Sequence, residues 1–412
     1  MGIMDSTMSR RHIISGAVAS LARPASAAVP DFAALRKDFP WAQTEIFLNP
    51  AGWHPIGIHS IKAMERYLEY KMKGPGHGDD FGGRRQDEVK RLFAQLIGAA
   101  PLEISFVQST LMGENLVVAG LGLPGSQWNV VTDELHYEGS LYMYRSLQKA
   151  GLDVRIAKRR DDWRIHAGDL EKLVNRRTRL IATSLVSYIN GYVPDVRSVA
   201  DLAHSHGAYL YTDIIQAAGA VPIDVHAMGI DFAACSGYKW LMGDRGLGYL
   251  YVKADHQGTV MRRTQYGDRQ FANFEYHTFP HDPPGAESVS WTQLNKGAGS
   301  YYEVGNLSNS AVACQSESLP YILRLGVDNI RAHARPLTSK LRKELPRLGY
   351  PCITPENNES PIVGFIVENP AATRAKLAKA GVNAKVEWHQ MRISVSVYNN
   401  DQDVDRLLNA LS

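Results

Sequence analysis

Seven short apolar stretches recur between positions 104 and 252, at 104–107, 129–132, 153–157, 180–185, 208–212, 232–235 and 248–252. Helical patterns, such as those at 169–174 and 196–205, separate most of them. Parallel neighbours in a sheet need long crossover connections, so this rhythm predicts an α/β fold with a mainly parallel sheet covered by helices on both faces. Two helices come first, at about 60–73 and 87–97, on either side of the break Gly74-Pro75-Gly76-His77-Gly78. Residues 262–300 are aromatic, Gly/Pro-containing and aperiodic, a loop long enough to be expected to serve function. Beyond it, helices at 308–325 and 336–348, strands at 362–367 and 391–397 and a last helix at 401–411 predict a smaller α/β lobe. A chain of 412 residues exceeds one ordinary core. The expected division is a leader at 1–28, a segment at 29–58 packing on the small lobe, a large lobe at 59–300 and the small lobe at 301–412.

Open α/β sheets build their sites at the carboxyl ends of strands. Asp213 closes the 208–212 stretch, and Lys239 follows the next one in the run Ser236-Gly237-Tyr238-Lys239-Trp240-Leu241. One strand delivering a carboxylate and its successor delivering a lysine among small residues is the arrangement a pyridoxal 5'-phosphate (PLP) enzyme requires. The lysine bonds the cofactor aldehyde, and the carboxylate keeps the pyridine nitrogen protonated. A phosphate needs free backbone donors at a helix start. The segment 107–115 leaves a strand and opens a helix, so Ser109 and Thr110 are expected at the phosphate, although either is also an ordinary N-cap. Gln216, just after Asp213, is expected to hydrogen-bond the cofactor's phenolic oxygen. Tyr137 is placed to stack on the ring, with His136 the alternative. Arg392 sits among alternating apolar residues, a poor place for a charge unless it points into a cleft, where its planar fork suits a substrate carboxylate.

The net charge of +3 and the lack of a long Lys/Arg run in the body argue against nucleic acid as a partner. Past residue 30 no apolar run approaches the roughly 18 residues of a membrane span, so the mature chain is expected to stay off the membrane. Cys235, Cys314 and Cys352 are too few and too scattered for a disulfide framework or a zinc site, and no metal is expected.

Asp213-Ile-Ile-Gln216, the run Gly229-Ile-Asp-Phe-Ala-Ala-Cys-Ser-Gly-Tyr-Lys239-Trp-Leu and Gly246-Leu-Gly-Tyr-Leu-Tyr-Val252 together resemble the class V aminotransferase group of fold-type I PLP enzymes, which includes cysteine desulfurases, isopenicillin N epimerases and related carbon–sulfur lyases. The likeness runs from Phe47 to Leu411. It implies that Ser236 and Tyr238, beside Lys239, join the cofactor-binding set. It implies that Asn49, Ala51 and Gly52 lie on the substrate side with Arg392, and that the Tyr302–Asn306 loop reaches a partner subunit's phosphate in a homodimer. Departures from the pattern bear on the reaction. The desulfurases carry a nucleophilic cysteine on a loop shortly before the carboxylate-binding arginine, whereas 381–391 here holds none. Tyr238 replaces their histidine, Tyr188 an asparagine, and Asn306 the threonine of the interface loop. The reading is therefore a PLP-dependent enzyme acting at the α-carbon of an amino acid or an amino-acid-containing metabolite, epimerase-like or transaminase-like. The alternatives are a β-eliminating carbon–sulfur lyase without a catalytic cysteine, and a PLP-fold protein that binds without catalysis.

At the N-terminus, Arg10-Arg11 precedes a modest apolar stretch at 13–22 and then Ala25-Ser26-Ala27-Ala28. This resembles a bacterial twin-arginine signal, read by an export machinery that accepts folded cargo, and makes the expected location the periplasm, with the cytoplasm the alternative. An exported enzyme is expected to act on a peptide or a secreted metabolite, such as a siderophore precursor.

Overall fold

The computed structural model describes residues 30–278 and 287–412. The expected leader at 1–28 lies outside the described residues.

A seven-stranded sheet forms the centre of the molecule, in the spatial order Ile104–Val107, Gly248–Val252, Phe232–Ser236, Tyr209–Asp213, Thr178–Ser184, Asn129–Asp133, Asp153–Ala157. Its neighbours pair in parallel except for Gly248–Val252, which runs antiparallel to both of its partners. Because successive side chains on a strand face opposite ways, each strand feeds two cores. Ile181, Leu210, Ala233 and Tyr249 pack into one. Leu180, Tyr211, Phe232 and Leu250 pack into the other. Both faces of the sheet are thus covered, which is what the near-continuous apolar strands required.

A third apolar cluster lies around a smaller sheet of Ile362–Ile366, Gln390–Ser394 and Lys385–Glu387. Ile46 and Leu48 belong to it, and Ile46–Phe47 pairs in parallel with Val382–Asn383. The early segment is thereby tied to the C-terminal sheet by backbone bonds, which fixes where residues 49–56 run.

Helix ends follow local chemistry. Ser109, Asp195, Ser308 and Asn400 each cap a helix by accepting a backbone N–H with the side chain. The expected helix at 336–348 is corrected: it spans Val327–Glu344 and carries Pro336 inside it. Proline in a helix interior costs about 3 kcal/mol, but Ile330, Ala334, Leu337 and Leu341 form one buried stripe on both sides of it, and that burial carries the helix through. The ladder expected at 391–397 ends at Ser394, although Val395 and Val397 are buried. Within 262–300, Glu275–Tyr276 and Val289–Ser290 form a short hairpin and Gly299–Tyr302 a helical turn. No helix among the described residues is long and apolar enough to cross a membrane.

Candidate active site

Asp213 and Ser236 end adjacent parallel strands, with Asp213 opposite Ala234 in register. Asp213 is buried, and one carboxylate oxygen accepts the N–H of Ile215 at 2.8 Å. Burial raises its pKa from 3.8 to about 6, against the opposing charges of His136 and Lys239. Lys239, also buried, holds its Nζ 5.8 Å from the centre of the Tyr238 ring. Burial first, and then the charge of Arg392, lowers this amine from 10.5 to about 8. No hydrogen bond or ion pair satisfies it among the described residues.

The Thr110–Gly120 helix starts beside these strand ends. Ser236 Oγ accepts from Thr110 N at 2.8 Å and lies 3.0 Å from Thr110 Oγ1, which accepts from Ser236 N at 2.9 Å. Ser109 Oγ accepts from Met112 N. The Thr110 and Ser236 hydroxyls therefore meet at the N-terminus of this helix, where the Ser236 and Ser109 hydroxyls hold the N–H groups of Thr110 and Met112. Gly113 makes this approach possible, since a Cβ there would come within 2.8 Å of the Ala234 Cβ.

Tyr137 and His136, left as alternatives by the sequence, are separated by the structure. Tyr137 is half-buried, stands edge-on to Tyr188 with ring centres 5.8 Å apart, and feels the Asp213 charge. His136 is fully buried, with Nδ1 2.8 Å from Ser184 Oγ and Nε2 3.1 Å from Glu114 Oε1. Both ring nitrogens of His136 are engaged inside the protein, by in-plane hydrogen bonds.

Gln216 gives one amide hydrogen to Ala51 O at 2.9 Å and accepts Trp240 Nε1 at 2.8 Å. The amide is thus fixed by the protein, with one N–H left over. Ala51 N donates to Ser394 Oγ at 3.1 Å. Gly52 allows the Asn49 side chain to fold beneath it, where a Cβ would meet the Asn49 amide at 2.9 Å. Asn49 Oδ1 in turn accepts Arg392 Nη2 at 3.1 Å, while Arg392 Nη1 donates to Tyr188 O at 3.1 Å. Arg392 is only 4% exposed, its Nε has no partner, and it makes no ion pair among the described residues. Burial lowers its pKa to about 10. Asn306 stands apart from this cluster, exposed and accepting Arg269 Nη2 at 2.6 Å.

Two features were missed by sequence reasoning. Glu114 lies buried in an otherwise apolar helix, and a lone acid in such a stretch was the available signal. A recess of about 280 Å3 opens beside Tyr238, lined by Trp41, Trp53, His54, Ile56, Tyr238 and Arg245. The Trp41 and Trp53 rings are 4.5 Å apart there. Nothing in residue spacing brings Trp41 to Arg245, so this recess was not legible.

The segment 381–391 forms a hairpin whose strands close at the pair Glu387 and Gln390, so Trp388 and His389 alone make the turn. Trp388 is 88% exposed. Cys235 and Cys314 are buried, and Cys352 sits at a bridge to Phe365, at the entry to the small sheet. None of the three lies in that hairpin.

This fold and site define a PLP-dependent enzyme of fold type I. The chain belongs to the class-V aminotransferase family, whose model matches residues 61–407. It is 26% identical over 340 residues to a probable cysteine desulfurase of Methanothermobacter thermautotrophicus, covering 81% of each chain. It is 24% identical to an uncharacterised aminotransferase of Schizosaccharomyces pombe, over 92% of this chain and 94% of that one. Among solved structures, the apo cysteine desulfurase of Thermococcus onnurineus superposes with a TM-score of 0.79 at 23% identity, over 93% of this chain and 98% of that one. A cystine C–S lyase in complex with its product cysteine persulfide gives 0.77 at 20% identity, over 90% and 98%.

The residues present fit the cofactor on observations of this structure alone. A buried amine with no hydrogen bond among the described residues, a buried carboxylate whose pKa burial raises even against the charges of His136 and Lys239, and a hydroxyl-lined helix start all stand at the carboxyl ends of the central strands.

Proposed function

We propose that the enzyme acts at the α-carbon of an amino-acid substrate without a catalytic thiol, as an epimerase or a transaminase. The observation that carries this reading is Arg392, a buried guanidinium with an unpaired Nε and no carboxylate partner, close enough to Lys239 to lower its pKa. An unpaired charge in such a place is costly unless a ligand supplies its counter-ion. In this reading Arg392 grips the substrate carboxylate, with its orientation set by Asn49 Oδ1 and Tyr188 O. Lys239, titrating near 8, takes the α-proton on Nζ and returns it. Asp213 faces the cofactor's ring nitrogen, Tyr137 covers the ring, and the Thr110 and Ser236 hydroxyls with Ser109 hold the phosphate. Bound PLP supplies the electron sink for the pair left at the α-carbon. The Tyr238 ring stands 5.8 Å from Lys239 Nζ, and Tyr137 packs edge-on against Tyr188.

The aromatic recess supports a substrate larger than a free amino acid, because residues 49–56 run without a break from the Arg392 contact to Trp53 and Ile56. The test is α-proton exchange in deuterated water by the holoenzyme, over a panel of L- and D-amino acids and short peptides, with products read by mass spectrometry. No exchange with any of them would sink the reading, and pyruvate with ammonia would favour the β-eliminating lyase. Sulfide release from cysteine that disappears in Cys352→Ser would restore a thiol mechanism.

Arg392→Lys is expected to raise KM for amino acids at least tenfold, a loss of about 1.4 kcal/mol, and to leave cofactor affinity within twofold. It keeps the charge and removes the fork. An unchanged KM in steady-state kinetics would move carboxylate binding elsewhere.

Homodimerisation and export complete the proposal. Asn306, on an exposed loop, is read as a contact to the partner subunit's cofactor, and sedimentation at the mass of a single chain would remove that reading. Replacing Arg10 and Arg11 by Lys is expected to hold the uncleaved, cofactor-loaded enzyme in the cytoplasm. Cell fractionation decides this: variant protein in the periplasm, or wild-type protein that never leaves the cytosol, would refute it.

A further inference from the structure

A group of buried polar side chains that the proposed chemistry does not use lies between the Thr110–Gly120 helix, the Glu138–Lys149 helix and the sheet. Glu114 is at its centre, with no exposed surface. Its carboxylate accepts hydrogen bonds from Ser140 Oγ, from Tyr144 OH at 2.8 Å and from His136 Nε2 at 3.1 Å. The other nitrogen of His136 is 2.8 Å from Ser184 Oγ, and Ser184 is the register neighbour of Asp213. Asp133, also buried, is held by Thr183 Oγ1 and by Leu135 N, both at 2.8 Å. The Tyr211 ring faces the imidazole edge-on, 6.5 Å away.

We propose that Glu114 is a positioning residue for the cofactor ring: it holds His136 as the imidazolium, whose charge keeps Asp213 ionised opposite the ring nitrogen. Glu114 itself touches neither cofactor nor substrate in this arrangement. It acts through His136.

The geometry leaves few other routes. A carboxylate beside Nε2 requires a proton on that nitrogen, and the Ser184 hydroxyl can accept a second proton's hydrogen bond from Nδ1. Three acids, Glu114, Asp133 and Asp213, surround one imidazole, with Tyr144 and Tyr211 as the neighbouring phenols and Lys239 and Cys235 beyond Asp213. Burial by itself would strip the charge from His136. The Glu114 carboxylate and its hydrogen bond, then Asp213 and Asp133, outweigh burial and raise the imidazole from 6.5 to about 8. For Asp213 burial is the largest influence and the His136 charge the largest one opposing it, while the Glu114 charge is a smaller push in the same direction as burial. Neutralising His136 would therefore move the Asp213 carboxyl further up, towards the neutral acid that has no charge to offer a pyridinium.

The linkage has a definite sign. Because the folded-state pKa of His136 is raised, its stabilising contribution is complete below 6.5 and is lost as pH rises through about 8.

The test uses the holoenzyme loaded with PLP labelled with nitrogen-15 in the ring, and reads imidazole and ring-nitrogen chemical shifts against pH. In the wild type the His136 imidazole is expected to stay protonated through pH 7, and a neutral imidazole at pH 7 would overturn the proposal without any variant. In Glu114→Gln, whose single oxygen can still accept from Tyr144 OH and His136 Nε2 while the Ser140 hydroxyl turns to accept from the amide N–H, the His136 midpoint is expected to fall by at least one pH unit, a tenfold change in its proton affinity. The ring-nitrogen shift should move towards the unprotonated form, and kcat should fall at least tenfold with KM within twofold. A merely structural Glu114 would lower the melting temperature while leaving both titrations in place, and that result would refute the proposal. If Glu114→Gln does not fold, the wild-type titration decides by itself: an imidazole protonated at pH 7 supports the proposal and a neutral one refutes it. The inference rests on Asp213 facing the ring nitrogen: if Asp213→Asn leaves the ring-nitrogen shift unmoved, that assignment is what fails, and the Glu114–His136 titration is still read separately.

Discussion

Lys239→Ala is expected to abolish covalent attachment of PLP and to lower turnover by ~10^3-fold or more, while the protein folds normally. Two losses combine in it. The amine that bonds the cofactor aldehyde is gone, and so is the base at the α-carbon, a group whose removal alone typically costs ~10^2–10^4-fold. The fold should not suffer, because Lys239 is buried with its Nζ unpartnered among the described residues, and removing an unpaired buried ammonium relieves a desolvation cost. The cofactor-free variant should melt no lower than the cofactor-free wild type. Absorbance of the bound cofactor with and without borohydride reads the attachment. A variant that still reduces onto the protein, or that turns over at wild-type rate, would remove the central assignment.

Asp213→Asn is expected to keep bound PLP and to lose roughly 10^2–10^3-fold in kcat, the usual scale for removing one preorganised charge partner from a developing charge. The amide fits the same space and keeps an oxygen for the N–H of Ile215, so backbone geometry is retained. It has no charge to hold a proton on the ring nitrogen. The wild-type carboxylate also makes a pH prediction. Without cofactor its pKa is raised from 3.8 to about 6, so its contribution to stability is complete below 3.8 and is lost as pH climbs through 6. A pyridinium beside it would reverse the shift. The gap in melting temperature between PLP-loaded and PLP-free wild type should therefore widen from pH 5 to pH 7, and in Asp213→Asn it should stay flat across that range. A flat gap in the wild type would mean the carboxylate and the ring nitrogen do not meet.

Much of this site was legible because its chemistry sits at strand ends, where residue type and the alternation of apolar stretches can be read together. Asp213, Lys239 and Thr110 were singled out in that way and Ser236 by family likeness, and the structure sets all four at the carboxyl ends of neighbouring strands. Arg392 was found as a charge out of place in an apolar strand. Its partner Asn49 was suggested only by family likeness, since the two residues stand far apart in the chain and meet through the pairing of Ile46–Phe47 with Val382–Asn383. Asn306, by contrast, is not joined to the cluster within one chain. The helix through Pro336 was misplaced because a local rule about proline carries no information on the buried stripe that overrides it.

The sequence by itself determined the parallel α/β layering, since near-continuous apolar strands separated by helices have few other ways to bury both faces. It also determined the order in which carboxylate and lysine arrive. Only the tertiary structure decided what the adjacent residues His136 and Tyr137 touch. Both follow the same strand, and the backbone between the Asn129–Asp133 strand and the Glu138–Lys149 helix aims one ring at Glu114 and the other at Tyr188. Neighbours in sequence carry no record of which side of a turn becomes the interior; that depends on which distant side chains are waiting there, and burial and hydrogen bonding between them settle it.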